Sequence, residues 1–109
     1  MCRALKVLCV AEDAEGLAAL KRAAVSADWE LAPGAATEQD GLEQLEADRP
    51  HVVVAFGDLG AFVEAARRAY PFLRIVTDRD LPGATVVATS LEEVRRAVQG
   101  LPRPGGPVR

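Results

Sequence analysis

The protein has 109 residues, of which 50% are hydrophobic and 27% are charged, and its formal net charge at pH 7 is -3. This length fits one domain with a modest core, and the composition is that of a folded chain. The negative charge argues against nucleic acid and anionic lipid as partners, and no apolar run approaches the roughly 20 residues that span a bilayer. We therefore expect a cytoplasmic protein that binds neither nucleic acid nor membrane.

The two cysteines, Cys2 and Cys9, are not expected to form a disulfide. In an extended segment their Cα atoms lie about 23 Å apart, whereas a disulfide requires less than about 7 Å. We expect Cys9 to be a small residue of the core.

The chain opens with a strand pattern followed by a helix pattern. Residues 4–11 (ALKVLCVA) form an apolar run typical of a strand buried on both faces. Residues 13–26 place apolar side chains at helical spacing behind Asp13, whose carboxylate can cap the helix. Residues 29–36 are a weaker strand candidate, because Pro33 has no backbone donor for a sheet ladder.

The middle of the chain repeats the alternation. Thr37 can cap a helix over residues 38–48, in which Leu42 and Leu45 face inward. Residues 51–56 (HVVVAF) are the strongest strand in the sequence and should be central. The segment 61–70 then predicts an amphipathic helix with an inner face of Phe62, Val63, Ala66 and Tyr70.

Two short strands and a helix complete the pattern. Residues 73–77 and 84–88 are predicted strands, separated by DRDLPG, which is long enough only for a turn. The last helix covers residues 90–100, where Ser90 and Glu93 have the spacing of a capping box.

Strands that are apolar throughout, alternating with helices, predict a mostly parallel sheet with helices on both faces. The link before the fifth strand is short, because a parallel crossover usually needs a dozen or more residues. Two arrangements stay open: a parallel fifth strand, or an antiparallel hairpin across DLPG. Residues 102–109 have the composition of a flexible tail, so we expect one domain over residues 1–101.

Five segments together resemble the receiver domain of bacterial two-component response regulators, which are signal transduction proteins. They are KVLCVAED, DWELA, GLEQLEADRPHVVV, RAYPFLRIVT and GATVVATS. The resemblance covers about nine-tenths of the chain. It implies a flavodoxin-like α/β fold, a three-layer sandwich whose five strands have the order 2-1-3-4-5. It also implies that the family's fourth helix is missing or reduced to a turn.

The resemblance places a degenerate phosphorylation pocket at the strand ends. Ala11 and Glu12 stand where the family has an acidic pair, and Phe56 stands at the phospho-acceptor position. Ser90 replaces an expected lysine, and Thr77 alone is unchanged. Phosphoryl transfer to a carboxylate needs an oxygen nucleophile and a divalent cation held by carboxylates. We therefore expect no enzymatic activity and no cofactor.

The carboxylates near the predicted pocket leave alternatives open. Asp58 is either a relocated acceptor working with Glu12 and Mg²⁺, or a turn residue between two glycines, which is favoured. Glu12, Asp13 and Asp58 are weak candidates for metal ligands, but helix caps and solvated loop charges are the favoured interpretation. A third alternative is a sensor of a nucleotide or other small ligand, although the sequence has no P-loop and no G-x-G-x-x-G motif.

The leading interpretation is a pseudo-receiver that acts through protein-protein contact without phosphorylation. Loss of the fourth helix should uncover one face of the sheet near the last two strands, and exposed apolar area of this kind usually marks a protein contact. We expect a protein partner or a second copy of the chain to bind there. The candidate residues are Ile75, Val76, Val86 and Val87.

Overall fold

A computed structural model describes residues 5–27 and 29–100. Cys2 and the predicted tail, residues 102–109, lie outside these described residues. The strands are β1 (Leu5–Val10), β2 (Trp29–Leu31), β3 (Val52–Ala55), β4 (Arg74–Thr77) and β5 (Val86–Val87). The helices are α1 (Ala14–Ala24), α2 (Glu38–Asp48), α3 (Gly60–Ala69) and α4 (Val94–Gln99), and a 3₁₀ turn at Leu91–Glu93 leads into α4.

The five strands form one parallel sheet in the order β2-β1-β3-β4-β5. The predicted strand order is therefore confirmed. The hairpin alternative is wrong, because β5 pairs with β4 in parallel, with Val86 beside Val76. Residues 78–85, which we call the β4–β5 link, contain a turn and no helix.

Successive side chains of a strand point to opposite faces of the sheet, and helices bury both faces. One face packs beneath α1 and α4, and its buried strand residues are Leu5, Val7, Cys9, Trp29, Val52, Val54 and Val76. The other packs beneath α2 and α3, and its strand residues are Leu8, Val10, Val53, Ala55 and Ile75. This arrangement gives the three layers that the sequence predicts. None of the helices in residues 5–27 and 29–100 is long and apolar enough to cross a membrane.

Two predicted helix caps are present. The Asp13 carboxylate accepts a hydrogen bond from the Gly16 amide at 2.7 Å, and the Thr37 hydroxyl accepts one from the Asp40 amide at 3.1 Å. Each cap satisfies an amide that the first turn of a helix leaves without a backbone partner.

The capping box predicted for the last helix is wrong. The Ser90 side chain makes no capping hydrogen bond. Instead the Glu93 carboxylate accepts from the backbone amide of Thr89 at 3.0 Å and from its hydroxyl at 3.3 Å. The first turn is a 3₁₀ turn, and i→i+3 bonding changes the positions that a cap can reach.

The second strand and the second helix also differ from the sequence pattern. β2 ends at Leu31, because the chain bends through Pro33 and through Gly34, whose φ is 92°. The Gln44 side-chain amide in α2 bonds to both the carbonyl oxygen and the amide of Gly34. Leu42 was predicted to face inward but is 38% exposed.

The expectation that the missing helix leaves Ile75 and Val76 uncovered is wrong, because both are 0% exposed. Val76 packs beneath α4, and Ile75 belongs to the cluster beneath α3, against which Leu81 of the β4–β5 link packs. Val86 is half-buried, and Val87 is 39% exposed at the edge of the sheet.

Arg67 of α3 holds the β4–β5 link against the sheet. Its guanidinium donates hydrogen bonds to the carbonyl oxygens of Pro71 at 2.9 Å, Leu73 at 3.0 Å and Gly83 at 2.9 Å. It also approaches the Thr85 hydroxyl oxygen at 3.4 Å. One arginine and a folded-back link thus occupy the region that a helix would otherwise cover.

Candidate functional site

The ends of β1, β3 and β4 lie side by side, because Val10 pairs with Ala55 and Ala55 pairs with Thr77. In open parallel sheets, ligands bind beyond the carboxyl ends of the strands. The residues that follow these strands therefore form the candidate site. They are Ala11, Glu12, Phe56 and Asp58 of the predicted pocket, together with Gly57, Asp78 and Arg79.

The two positions that would carry the chemistry of a receiver are apolar. Ala11 is buried, and its methyl group supplies no metal ligand. Phe56 continues the ladder by donating from its amide to the Val10 carbonyl oxygen at 3.0 Å. Its ring packs against the cluster beneath α1 and α4. An aromatic ring therefore follows β3 where an oxygen nucleophile would be needed.

Glu12 and Gly57 pack tightly against each other. A Cβ atom at position 57 would lie 2.6 Å from both Cγ and Oε1 of Glu12. Gly57 also has a φ of 119°, a backbone conformation that L side chains rarely adopt. Its amide donates to the Asp78 carboxylate at 3.2 Å. The glycine thus brings the strand ends together without leaving space for a side chain.

Asp78 and Arg79 form an ion pair at the end of β4. Nε of Arg79 lies 3.1 Å from Oδ1 of Asp78, and Nη2 lies 3.4 Å from Oδ2. The hydrogen bond and the charge of Asp78 raise the pKa of Arg79 above its usual value, and the charges of Asp58 and Glu12 raise it further. Arg79 is therefore the cation that pairs with Asp78 at this edge of the sheet.

Thr77 and Ser90 are placed differently from each other. Thr77 is buried, and its hydroxyl donates to the Arg79 carbonyl oxygen at 2.5 Å. Ser90 is exposed just before the 3₁₀ turn.

The weak metal candidates are not assembled into a ligand set. Asp13 caps α1, Glu12 lies against Gly57, and Asp58 is exposed. Within residues 5–27 and 29–100, no three His, Cys, Asp or Glu side chains are grouped so that they could hold a metal ion. Mg²⁺ requires several oxygen ligands in near-octahedral geometry.

The sequence pattern does not single out Arg79 or Gly57. The available signal for Arg79 is that it stands between two aspartates directly after a strand. Gly57 could be suspected because a glycine at a strand end often marks a close backbone approach. Neither signal identifies the partner of the residue, since the contacts join segments that are distant in the chain.

Solved structures with the same fold are receiver domains. The chemotaxis response regulator CheY4 of Vibrio cholerae is 21% identical, with a TM-score of 0.71, and the match covers 89% of this chain and 98% of that one. A CheY-like receiver domain from Methanospirillum hungatei is 17% identical, with a TM-score of 0.71, covering 89% and 92%. The isolated receiver domain of RcsB from Salmonella enterica is 14% identical, with a TM-score of 0.67, covering 89% and 87%.

The chain therefore has the flavodoxin-like fold of CheY-like receivers, as the resemblance implies. No protein-family model matches the sequence, and no curated protein matches it. Identities of this size establish the fold alone, so the function depends on the residues of the site.

Proposed function

We propose that the protein is a signalling module with a receiver fold, which is not phosphorylated and acts by contact with other proteins. The observation that carries the proposal is Phe56, which directly follows β3 and whose half-buried ring packs against the core cluster beneath α1 and α4. Phosphoryl transfer requires an oxygen in line with the donor, and a phenyl ring supplies none.

The groups that would assist the transfer are also changed. A divalent cation neutralises the charge that develops on the phosphoryl group, and carboxylates must hold that cation. Ala11 removes one of these carboxylates, and the carboxylate of Glu12 lies against Gly57. Ser90 has a hydroxyl where a lysine would supply a positive charge. Both losses support a protein that neither binds Mg²⁺ at this site nor catalyses a reaction.

Arg79 supplies a permanent positive charge in place of a metal ion. It pairs with Asp78, and the charges of Asp58 and Glu12 also act on it. The guanidinium is covalently attached to the chain, so it cannot leave the site as a bound metal ion can. It also stays protonated at every physiological pH. The chain itself thus offsets part of the negative charge at the strand ends, which favours one fixed state over a switch that depends on a ligand.

Thr77 points to the same conclusion. Its buried hydroxyl donates to the backbone of Arg79, two residues further along the chain. The bond fixes the start of the β4–β5 link, and Arg67 fixes the end of that link through Gly83 and Thr85. A link held at both ends is poorly suited to a rearrangement triggered at the pocket.

Asp58 is the basis of the second candidate function, an atypical Mg²⁺-dependent phosphoacceptor. Its side chain is exposed and lies at the same edge of the sheet as Glu12 and Arg79. An exposed carboxylate is accessible to a phosphodonor. Asp58 nevertheless lies two residues beyond the position of Phe56, and this displacement moves a carboxylate by several ångströms.

Beryllofluoride tests the proposal, because the structure of the RcsB receiver domain was determined in the presence of this phosphomimetic. We expect the ¹H–¹⁵N spectrum of the full chain to stay unchanged when MgCl₂ and BeF₃⁻ are added together. A receiver that accepts phosphate serves as the positive control. Chemical-shift changes that require both reagents and centre on residues 57–58 and 77–79 would contradict the proposal.

A further inference from the structure

Phe72 projects into solvent at the end of the sheet opposite the candidate site. It precedes β4, whereas the residues of the site follow the strands. Its exposed fraction is 92%, while Trp29 and Phe62 are buried and Phe56 and Tyr70 are half-buried. Within residues 5–27 and 29–100, Phe72 is therefore the one aromatic side chain that the fold leaves in water.

The backbone that carries Phe72 is held firmly. Arg67 donates from the same nitrogen, Nη1, to the carbonyl oxygens of the two flanking residues, Pro71 and Leu73. The amide of Leu73 also donates to the Tyr70 carbonyl oxygen at 3.0 Å. A side chain presented on a fixed backbone loses less conformational entropy when it is bound. Exposure on a rigid turn is thus suited to an anchor for binding.

The charged residues nearest to Phe72 in the sequence are positive. Residues 65–77 contain three arginines and no carboxylate, in a protein whose net charge is -3. Arg67 is engaged with backbone carbonyls, but Arg68 and Arg74 are exposed. In the part of the chain that the structure describes, the side chains of these two arginines form neither ion pairs nor hydrogen bonds.

We infer that Phe72, with Arg68 and Arg74, docks into a partner protein that has an apolar pocket rimmed by carboxylates. We call these three residues the Phe72 surface. The ring protrudes, so the partner must supply the concave side. Aromatic and arginine anchors carry much of the energy of protein interfaces, and complementary charge speeds association.

The alternatives fit the charges less well. Nucleic acid carries many phosphates, and two exposed arginines can contact only a few of them. The rest of the strand would be repelled by a protein whose net charge is negative. A folded partner can confine its contact to the Phe72 surface. The inference rests on the proposed function, because a protein that works by contact needs such a surface.

Photo-crosslinking in full-length chains tests the inference. The photoreactive residue p-benzoylphenylalanine replaces Phe72, Val87 or Leu42 in separate chains, which are irradiated in extract of the source cells. All three sites are exposed, but Val87 lies on β5 and Leu42 on α2. We expect position 72 to give a protein adduct whose crosslinked peptide lies in an apolar pocket bordered by Asp or Glu.

The yield of the adduct at position 72 must also depend on the positive charges of Arg68 and Arg74. Arg68→Glu with Arg74→Glu should reduce its yield about tenfold, and replacing the rim carboxylates of the partner with lysines should restore it. With the purified partner, Phe72→Ala should raise the Kd about tenfold or more, whereas Leu42→Ala leaves it within about twofold. The variants must keep the unfolding midpoint of the native protein, which is expected for exposed positions.

The remaining outcomes overturn the inference. An adduct at position 72 with nucleic acid, with a second copy of the chain, or with a protein surface that lacks carboxylates is one such result. Adducts at position 87 alone would reject the Phe72 surface and leave the proposed contact function standing. Absence of adducts at both positions would count against the surface and the contact function together, while phosphorylation is measured separately.

Discussion

Gly57 lies at the point where the segments of the candidate site contact one another. It combines a positive φ with a contact to Glu12 and a hydrogen bond to Asp78, so three segments meet at a position without a side chain. The Glu12 carboxylate is thereby kept beside the backbone of the loop that follows β3. A catalytic role would require this carboxylate to turn toward a metal ion.

Replacing Gly57 with alanine should lower the free energy of unfolding by about 1–3 kcal/mol, because a residue with a side chain is strained at this φ and the methyl group meets Glu12. The double variant Glu12→Ala/Gly57→Ala should recover the steric part and keep the cost of the strain. Urea denaturation measures both. A single variant as stable as the native protein would show that the φ of 119° is not maintained.

Cys9 gives a prediction that depends on pH. Burial raises the pKa of its thiol from 9.0 to about 12, and the charge of Lys21 opposes part of this shift. The unfolded chain therefore loses this proton at a lower pH than the folded chain. The stability associated with Cys9 is intact below pH 9 and is lost as the pH rises toward 12.

Between pH 9 and 12 the native protein should lose about 1.4 kcal/mol of stability per pH unit relative to Cys9→Ala. Denaturant midpoints of the two proteins, measured at several pH values, give this difference. Parallel pH profiles would contradict the buried thiol.

At the scale of single residues, the sequence predicts local features and misses distant ones. Asp13 and Thr37 act as caps because a cap depends on residues two or three positions away. The absence of a nucleophile at Phe56 is visible as soon as the strand is recognised. Arg67 and Arg79 are missed, since their partners are chosen by the tertiary fold.

At the scale of elements, the β4–β5 link has no helix and is held in place by Arg67 and by the packing of Leu81. The eight residues of this link, 78–85, connect β4 to β5, a parallel strand of two residues. The sequence predicts the missing helix from the length of this link. It does not predict that Leu81 packs against the cluster containing Ile75 or that Val76 packs beneath α4, so the expected exposure of Ile75 and Val76 is wrong.

Arg67→Ala should lower the free energy of unfolding by about 2 kcal/mol or more, because it leaves several carbonyl oxygens without a charged donor. The matched control is Arg68→Ala, one position further along α3, which is exposed and should change stability by less than about 0.5 kcal/mol. Urea denaturation compares the two.

Hydrogen exchange locates the effect. The Thr85 amide, which donates to the Ile75 carbonyl oxygen at 2.7 Å, should exchange faster in Arg67→Ala, while amides of the central strand β3 lose less protection. Equal loss of protection in both places would show that Arg67 stabilises the whole domain and not the link in particular.

At the scale of the whole molecule, the chain has the fold of a receiver, and we propose that it lacks the chemistry of one. The alternation of apolar strands with amphipathic helices predicts the three layers and the strand order, because both depend on hydrophobic periodicity along the chain. The chemistry depends instead on a few side chains at the strand ends. There the fold places Ala11 and Phe56, and it pairs the exposed Arg79 with Asp78.

Magnesium should leave the stability of the whole domain unchanged. A ligand that binds the folded state raises the unfolding midpoint by mass action, and we propose no binding of this ion. Thermal midpoints in MgCl₂ and in NaCl of equal ionic strength should coincide. A higher midpoint in MgCl₂ that disappears in Asp58→Asn would support the second candidate function.

The most direct test of the central claim is the intact mass of the full chain after incubation with acetyl phosphate and Mg²⁺, beside a receiver known to accept phosphate. We predict that the mass stays that of the unmodified protein while the control gains one phosphoryl group. A phosphoryl adduct on this chain that is labile and absent from Asp58→Asn would contradict the account.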